Sequence, residues 1–382
     1  MPDLETLRII WWGLMGVLLI GFAITDGFDF GVATLFLFIS RTETEKRIIL
    51  NSIGPIWEGN QVWIILGAGA IFAAWPYVYA AAFSGFYFLI LLLLLTMGIS
   101  RPVSFKYRSK LINPVWRHSW DIAVFIGGIV PALLFGILVG NVLRGIPFYF
   151  DTNLRFFYTD SLKDLFSPFI WLCGLTSLTM LMMHGAVYLT IKTETPLRDR
   201  AQLWARVMSL LFILLFAMGG VWVAYKLPGY EITSTVNPNG FSNPLNKQVS
   251  SHIGAWMLNY TRYPLTILAP ILGFVGALLV SLTISWRSGL FAFLCSSLSI
   301  AGVISTVGLS MFPFILPSSS SMSASLLVWD ASSSQLPLFL MLIAVIIFLP
   351  IILIYTSWVY YIFRGKINSK RLDEQEDRHT AY

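Results

Sequence analysis

The sequence predicts an all-α polytopic membrane protein with about nine transmembrane helices, two four-helix bundles plus one extra helix. Of its 382 residues, 57% are hydrophobic and only 12% are charged, about half the charged fraction of a typical soluble domain. The mean hydropathy is +0.75, and apolar stretches recur along the whole chain. This composition excludes a soluble globular protein. The net charge of +6 falls in short loops, so no nucleic-acid partner is expected.

Nine stretches contain the roughly 20 apolar residues that a helix needs to cross a bilayer. They lie near residues 8–40, 48–74, 77–100, 119–142, 165–191, 201–225, 264–284, 289–315 and 336–363. Their spacing suggests a first four-helix unit (1–142), a second unit (165–315) and a ninth helix (336–363). Together they form a transmembrane domain over residues 1–363, followed by a charged cytoplasmic tail at 364–382. The first span is long, and either one tilted helix or a helix broken at Asp26-Gly27 fits it.

The loops predict the orientation of the chain. Lys and Arg concentrate in the loops that follow odd-numbered spans and in the tail. Basic loops stay in the cytoplasm, so the N-terminus is expected outside and the C-terminus inside. Two external loops, 143–164 and 226–263, are long. The Ser-rich segment 317–325 is interpreted as a flexible loop, and the alternative is an ordered polar surface that meets a partner.

Two carboxylates in the first two spans are the most informative residues. Asp29 and Glu58 lie at similar distances on either side of the polar turn 41–47. Antiparallel neighbouring helices would place them level and facing each other, roughly 15–20 Å below the surface at 1.5 Å rise per residue. Ionisable groups at that depth usually mark an ion, proton or substrate path. The alternative is that they only tie the first two helices together.

Other polar residues flank this pair. Asp26 precedes Asp29 by three residues and shares its helix face, and Asn60 and Gln61 follow in the second span. These side chains would form a hydrogen-bonded chain from the cytoplasm towards mid-membrane. A carboxyl group buried without a cation can exchange protons near neutral pH. Arg101, at the end of the third span, is either a counter-charge for the acidic residues or an anchor at the membrane surface.

His184 is the only histidine inside a predicted span. We interpret it as a hydrogen-bonded interior residue, and the alternative is haem ligation. No CxxC motif, phosphate-binding loop, nucleophile elbow or metal-binding cluster is present in the sequence. The chain alone is therefore not expected to catalyse a reaction or to bind a metal.

Several longer motifs resemble one known family. They include GFAITDGFD at 21–29, WEGNQVW at 57–63 and MFPFILPS at 311–318. Further matches lie at residues 11–12, 51–55, 72–76, 101–103, 242–247, 323–325 and 329–335. In these stretches, and from the N-terminus to the ninth span, the chain resembles subunit II of the cytochrome bd-type quinol oxidases.

The resemblance implies membership of a complex in the bacterial cytoplasmic (inner) membrane that oxidises a quinol such as ubiquinol and reduces dioxygen to water. Subunit I of such complexes carries two b-type haems and one d-type haem, together with the quinol-oxidising loop. Subunit II has a similar helical architecture without haem and often holds a structural quinone. A small single-span accessory subunit commonly joins them. The complex does not pump protons, but takes them from the cytoplasm for water formation and releases quinol protons outside.

The resemblance also implies roles for residues. The family's proposed proton path includes acidic residues on the first two helices, which match Asp29 and Glu58, with Asp26 adjacent. Some close relatives have Asp where this chain has Glu58, which puts the reach of that side chain in doubt. No residue is assigned to quinone binding. The residues alone leave open a second class of function, a secondary transporter that uses the acidic pair as an ion or substrate site and needs no haem-bearing partner.

Overall fold

The computed structural model describes residues 1–159, 166–285 and 289–367, and these residues are mainly helical. The helices are α1 (Leu4–Ile39), α2 (Glu43–Ile53), α3 (Trp57–Asn60), α4 (Val62–Ala74), α5 (Pro76–Gly85), α6 (Tyr87–Leu93), α7 (Arg101–Tyr107), α8 (Pro114–Arg144), α9 (Pro168–Lys192), α10 (Leu197–Tyr225), α11 (Leu258–Arg262), α12 (Leu268–Thr283), α13 (Gly289–Met311) and α14 (Gln335–Ile362). A π-helical segment, Leu94–Ser100, joins α6 to α7. The predicted fold class is confirmed.

Eight helical segments of the described chain are long and apolar enough to cross a membrane. They correspond to all the predicted spans except the second, which is divided into α2, α3 and α4. Pro55 lies at the first break, where its missing N–H and its effect on the preceding residue both oppose a continuous helix. The first span, by contrast, is one unbroken helix of 36 residues that runs through Asp26 and Gly27.

Helix α1 is central and packs against α4, α8, α9, α13 and α14. Glycines allow the closest approaches. A Cβ atom on Gly31 would lie 2.0 Å from the carbonyl oxygen of Leu181 in α9, and one on Gly128 of α8 would lie 2.6 Å from the backbone nitrogen of Thr34. Small residues at such crossings bring helix backbones into van der Waals contact, which is how membrane helices associate. The turns of α1 around Asp29 therefore pack closely against both α8 and α9.

Three antiparallel hairpins and their loops form a layer at the N-terminal end of α1, here called the hairpin layer. The pairs are β1 (Phe148–Phe150) with β2 (Phe156–Tyr158), β3 (Pro228–Ile232) with β4 (Val249–Ile253), and β5 (Phe314–Leu316) with β6 (Leu326–Leu327). Arg8 of α1 ties this layer to the helices: its Nε donates to Ser332 Oγ at 2.7 Å and its Nη2 donates to Gly240 O at 3.1 Å.

The Ser-rich segment belongs to this layer, and the prediction that it is a flexible loop is wrong. Ser318 is buried and its hydroxyl donates to Phe148 O, while its backbone N–H donates to Ser325 Oγ at 2.9 Å. Serine hydroxyls here bond the backbone of neighbouring loops, a use that composition alone does not reveal. Of the predicted charged tail, residues 368–382 lie outside the described residues.

A buried ion pair joins two loops of the hairpin layer. Lys247 Nζ lies 2.6 Å from Asp330 Oδ2, and the exposed fractions of the two side chains are 1% and 6%. Burial lowers the pKa of Lys247 and raises the pKa of Asp330, and their mutual attraction opposes both shifts. Because removal of either partner would leave the other charge buried and unpaired, the pair fixes the relative positions of the two loops.

Candidate functional site

The candidate site is a group of buried polar side chains around the C-terminal half of α1. Asp26 and Asp29 lie on one face of this helix, and neither residue is exposed. The helix is not interrupted at Gly27, where a Cβ atom would meet only the end of the Leu181 side chain. Both carboxyl groups therefore point into the interior formed by α1 and its neighbours.

Arg101 is the cation beside Asp26. Its Nη1 lies 2.8 Å from Asp26 Oδ1, and the exposed fraction of both side chains is 0%. Its guanidinium carbon lies 4.4 Å from the ring centroid of Phe30, a geometry that favours a cation over an aromatic face. Gly127 of α8 makes room for it, since a Cβ atom there would lie 2.9 Å from the Cβ of Arg101. This buried contact favours the counter-charge over the membrane-surface anchor, and the role of Arg101 stays a prediction.

Asp29 is held from the other side by a chain of two hydrogen bonds. Asn60 Nδ2 donates to Asp29 Oδ2 at 2.8 Å, and Tyr360 Oη donates to Asn60 Oδ1 at 2.5 Å. Tyr360 lies in the last turn of α14. The two hydrogen bonds therefore connect α14, the last helix described, to α1, the first. We call the set Asp26, Asp29, Asn60, Arg101 and Tyr360 the acidic cluster.

Tyr360 was not predicted from the sequence. It lies in an aromatic stretch, residues 358–361, which resembles the aromatic belt that many membrane helices carry at the lipid interface. Nothing in the sequence marks this tyrosine as the one that contacts a residue 300 positions away. Asn60, which the sequence did single out, is buried at the end of α3.

Glu58 occupies a different position from the predicted one. Its side chain is 65% exposed in this chain and its Oε1 lies 3.4 Å from Lys106 Nζ. The prediction that Glu58 faces Asp29 in the interior is therefore wrong. The reason is local: α3 is a single turn that buries Trp57 and Asn60, and residues between two such positions point to the opposite side of a helix. Gln61 Nε2 donates to Met97 O at 3.4 Å, outside the acidic cluster.

Several buried polar atoms around the cluster have no hydrogen-bond partner within the described chain. They are Asp26 Oδ2, Asp29 Oδ1, Arg101 Nε and Nη2, and Trp57 Nε1. Buried polar groups are almost always bonded to protein or to water. A concentration of such atoms beside two carboxyl groups is chemically suited to water binding and proton exchange.

A second charged group lies nearer the C-terminal end of α1. Asp121 of α8 is buried, accepts a bond from Lys46 Nζ at 2.7 Å and is paired with Arg108. Arg108 also lies 2.7 Å from Glu43 and packs over Phe36, whereas Arg101 packs over Phe30. Two buried charged groups thus lie along α1, one beside Phe36 and one beside Phe30. Asp121 was not predicted from the sequence, although an acidic residue at the start of an apolar span beside basic loops is a recognisable signal.

His184 does not fit the requirements of a haem ligand. Its Nδ1 lies 2.7 Å from Ser296 Oγ and its Nε2 lies 2.9 Å from Ile24 O, and the residue is fully buried. Both ring nitrogens are therefore engaged, and the imidazole joins α9 to α13 and α1. Among the described residues, no group of three or more His, Cys, Asp or Glu side chains is arranged to hold a metal ion.

The described chain offers no clear quinone site. A cavity of about 620 Å³ opens between the start of α1, the loop at 239–242 and the start of α14. Its walls include Arg8, Ser332 and Gln335, but the Arg8 guanidinium is already bound to the hairpin layer. We assign no quinone to this cavity, and a quinone in this chain stays a prediction.

Comparison with known proteins agrees with the motifs. The family model described as cytochrome bd terminal oxidase subunit II matches residues 7–363. The chain is 47% identical over 382 residues to cytochrome bd-I ubiquinol oxidase subunit 2 of Escherichia coli (strain K12), and the match covers 100% of both chains. It is 29% identical to cytochrome bd ubiquinol oxidase subunit 2 of Bacillus subtilis (strain 168), covering 96% of this chain and 98% of the relative.

A solved structure shows the same fold. The bd oxidase of Geobacillus thermodenitrificans contains a chain that matches with a TM-score of 0.68 and 17% identity, covering 94% of this chain and 98% of that one. Since the family model spans nearly the whole sequence and a full-length relative is 47% identical, this chain belongs to the cytochrome bd terminal oxidase subunit II family.

Proposed function

We propose that this chain stabilises the haem-bearing subunit I of a bd-type quinol oxidase and supplies part of its cytoplasmic proton path. The observation that carries the proposal is the acidic cluster, in which two fully buried carboxyl groups meet one buried arginine. Family membership and the names of the relatives support an oxidoreductase complex that uses ubiquinol. Such a complex contains haem and lies in a bacterial membrane, which this chain crosses several times.

The haems, two of b type and one of d type, belong in this proposal to subunit I. The engaged ring nitrogens of His184 support a haem-free subunit II. The chain alone is then not catalytic. A small single-span accessory subunit and a structural quinone complete the proposed complex. It would build a proton gradient without pumping, with the N-terminus of this chain outside and the C-terminus in the cytoplasm.

The proposed path begins at the charged group around Asp121 and Lys46 and reaches Arg101 and Asp26 along α1. Arg108 and Arg101 are seven residues apart on one helical stretch, which spans about 10 Å at 1.5 Å per residue. Asp29 lies one helical turn from Asp26, on the same face. Asn60 orients Asp29 by donating to its Oδ2, and Tyr360 holds Asn60 in place by donating to Asn60 Oδ1. Asp29 Oδ1 accepts no hydrogen bond within the described chain.

Glu58 lies outside the acidic cluster, at the surface of this chain. Its exposed carboxylate lies on the opposite side of α3 from Asn60, where a partner subunit would cover it, and Lys106 neutralises part of its charge. We propose that Glu58 transfers protons between the acidic cluster and subunit I. Gln61, bonded to Met97 O, would stabilise the short α3 that separates the two positions.

The partner is tested by purifying the chain from its native membrane under gentle conditions. We expect a larger subunit to co-purify and the reduced-minus-oxidised visible spectrum to contain a d-type haem band. A haem-free chain without a partner, under conditions that preserve complexes, would contradict the proposal and favour the secondary transporter.

The role of Glu58 is tested by Glu58→Gln. Loss of one group on a proton path slows the step that it serves, so we expect oxygen consumption by the complex to fall while the haem spectrum is retained. The loss should be smaller than the roughly 100-fold that a positioned acid–base group contributes, because the Glu58 side chain is exposed in this chain. The matched control is Glu58→Asp, which keeps the carboxylate and should retain most of the activity. Full activity of Glu58→Gln across the pH range would exclude a relay role.

A further inference from the structure

The acidic cluster contains two buried carboxyl groups but only one buried cation. Asp26, Asp29 and Arg101 are all completely buried, and two ionised carboxylates against one guanidinium would leave a net negative charge. An uncompensated charge in an apolar interior is strongly unfavourable and is normally removed by protonation. The cluster therefore needs one further positive charge or one bound proton.

No second cation of the described chain faces the two carboxyl groups. Arg101 lies on Asp26, and the other titratable groups that act on the pair are Tyr188 from α9 and Tyr360 from α14. Both tyrosines are neutral when protonated. His184, also from α9, is bonded to Ser296 and to the backbone of Ile24 instead. On α3, the carboxylate of Glu58 points outward and pairs with Lys106.

The existing hydrogen bonds limit which carboxyl oxygens can carry a proton. Asp29 Oδ2 accepts from Asn60 and Asp26 Oδ1 lies against Arg101, which leaves Asp26 Oδ2 and Asp29 Oδ1 without partners. Asp26 and Asp29 lie three residues apart on one face of α1, so their carboxyl groups are neighbours. Two neighbouring carboxyl groups avoid like-charge repulsion when one of them is protonated and donates to the other.

We propose that Asp26 and Asp29 share one proton between their unpartnered oxygens, so that the buried pair and Arg101 together carry no net charge. A proton that arrives on the ionised carboxylate forms a new O–H bond while the O–H bond of the other carboxyl breaks. One proton enters and one leaves, and the cluster stays neutral before and after the exchange. This inference rests on the proposed proton path but is tested by protonation state rather than by turnover.

The test is infrared spectroscopy of the purified, haem-containing complex, since a protonated carboxyl has a C=O stretching band that a carboxylate lacks. In wild-type-minus-variant spectra, we expect both Asp29→Asn and Asp26→Asn to lose one protonated-carboxyl band, because the carboxyl that remains ionises against Arg101. A band that persists in Asp26→Asn, or the absence of the band from the wild type, would overturn the proposal.

Arg101→Gln gives an independent test if the aspartate variants do not assemble. Without the guanidinium, neutrality requires both carboxyl groups to be protonated, so the number of protonated-carboxyl bands should rise from one to two. An unchanged band would overturn the proposal. If the variants show the expected spectral changes but consume oxygen at the normal rate, the shared proton is supported and the path is rejected. If the variants are slow but their spectra lack the expected changes, the path is supported and the shared proton is rejected.

Discussion

Asp29→Asn is expected to slow oxygen reduction by the assembled complex more than any other single change in this chain. The asparagine keeps the size of the side chain and can still bond Asn60, but it cannot bind and release a proton. A positioned acid–base group contributes about 100-fold or more to the step that it serves. We therefore expect a loss of about 100-fold or more in quinol-dependent oxygen consumption. Oxygen electrode measurements on the purified complex, normalised to its haem content, would show it.

Asp29→Glu is the matched control for this change. It restores the carboxyl group with a longer reach, so activity should recover in part, whereas a role in packing alone would be disturbed more by the larger side chain than by asparagine. If Asp29→Asn retains full activity with a normal haem spectrum, Asp29 is a structural residue of the α1–α3 contact and the proposed path is incorrect.

Hydropathy predicted the fold class of this chain because lipid imposes the same requirement on every spanning helix. A helix that buries all its backbone hydrogen bonds must be apolar for about 20 residues, and that property is local in the sequence. The break at residues 54–56 is also local, but Pro55 alone did not indicate that the following helix would be a single turn.

The site was predicted only in part, and its errors have a common physical origin. Asp26, Asp29 and Asn60 stood out because polar residues are costly in an apolar span. The direction of Glu58, however, depends on where α3 begins, and a shift of one or two residues moves a side chain to the other face. The role of Tyr360 depends on a hydrogen bond between α14 and α3. The two residues are 300 positions apart, and no local sequence pattern encodes such a contact.

The second large effect is expected at the crossing of α1 and α9. Gly31 and Gly185 face each other there: a Cβ atom on Gly31 would lie 2.0 Å from Leu181 O, and one on Gly185 would lie 2.5 Å from the carbonyl carbon of Gly31. Both obstacles are backbone atoms, which cannot rotate away as a side chain can. Gly31→Ala must therefore separate the two helices.

Separation of these helices would disturb the adjacent residues that hold the acidic cluster. Overpacking of a well-packed interior typically costs 1–3 kcal/mol, and a rigid backbone contact places this substitution at the upper end, about 3 kcal/mol or more. We expect Gly31→Ala to lower the yield of the haem-containing complex and its resistance to heat, both followed by the visible haem spectrum.

Gly16→Ala, on the same helix, is the control for this substitution. A Cβ atom there meets nothing within 4 Å in the described chain, and alanine favours a helix over glycine by about 1 kcal/mol. The two variants add the same methyl group to the same helix, so a difference between them isolates the contact with α9. Equal yield and equal heat resistance would mean that α1 and α9 can move apart without loss, and that close packing does not position Asp29.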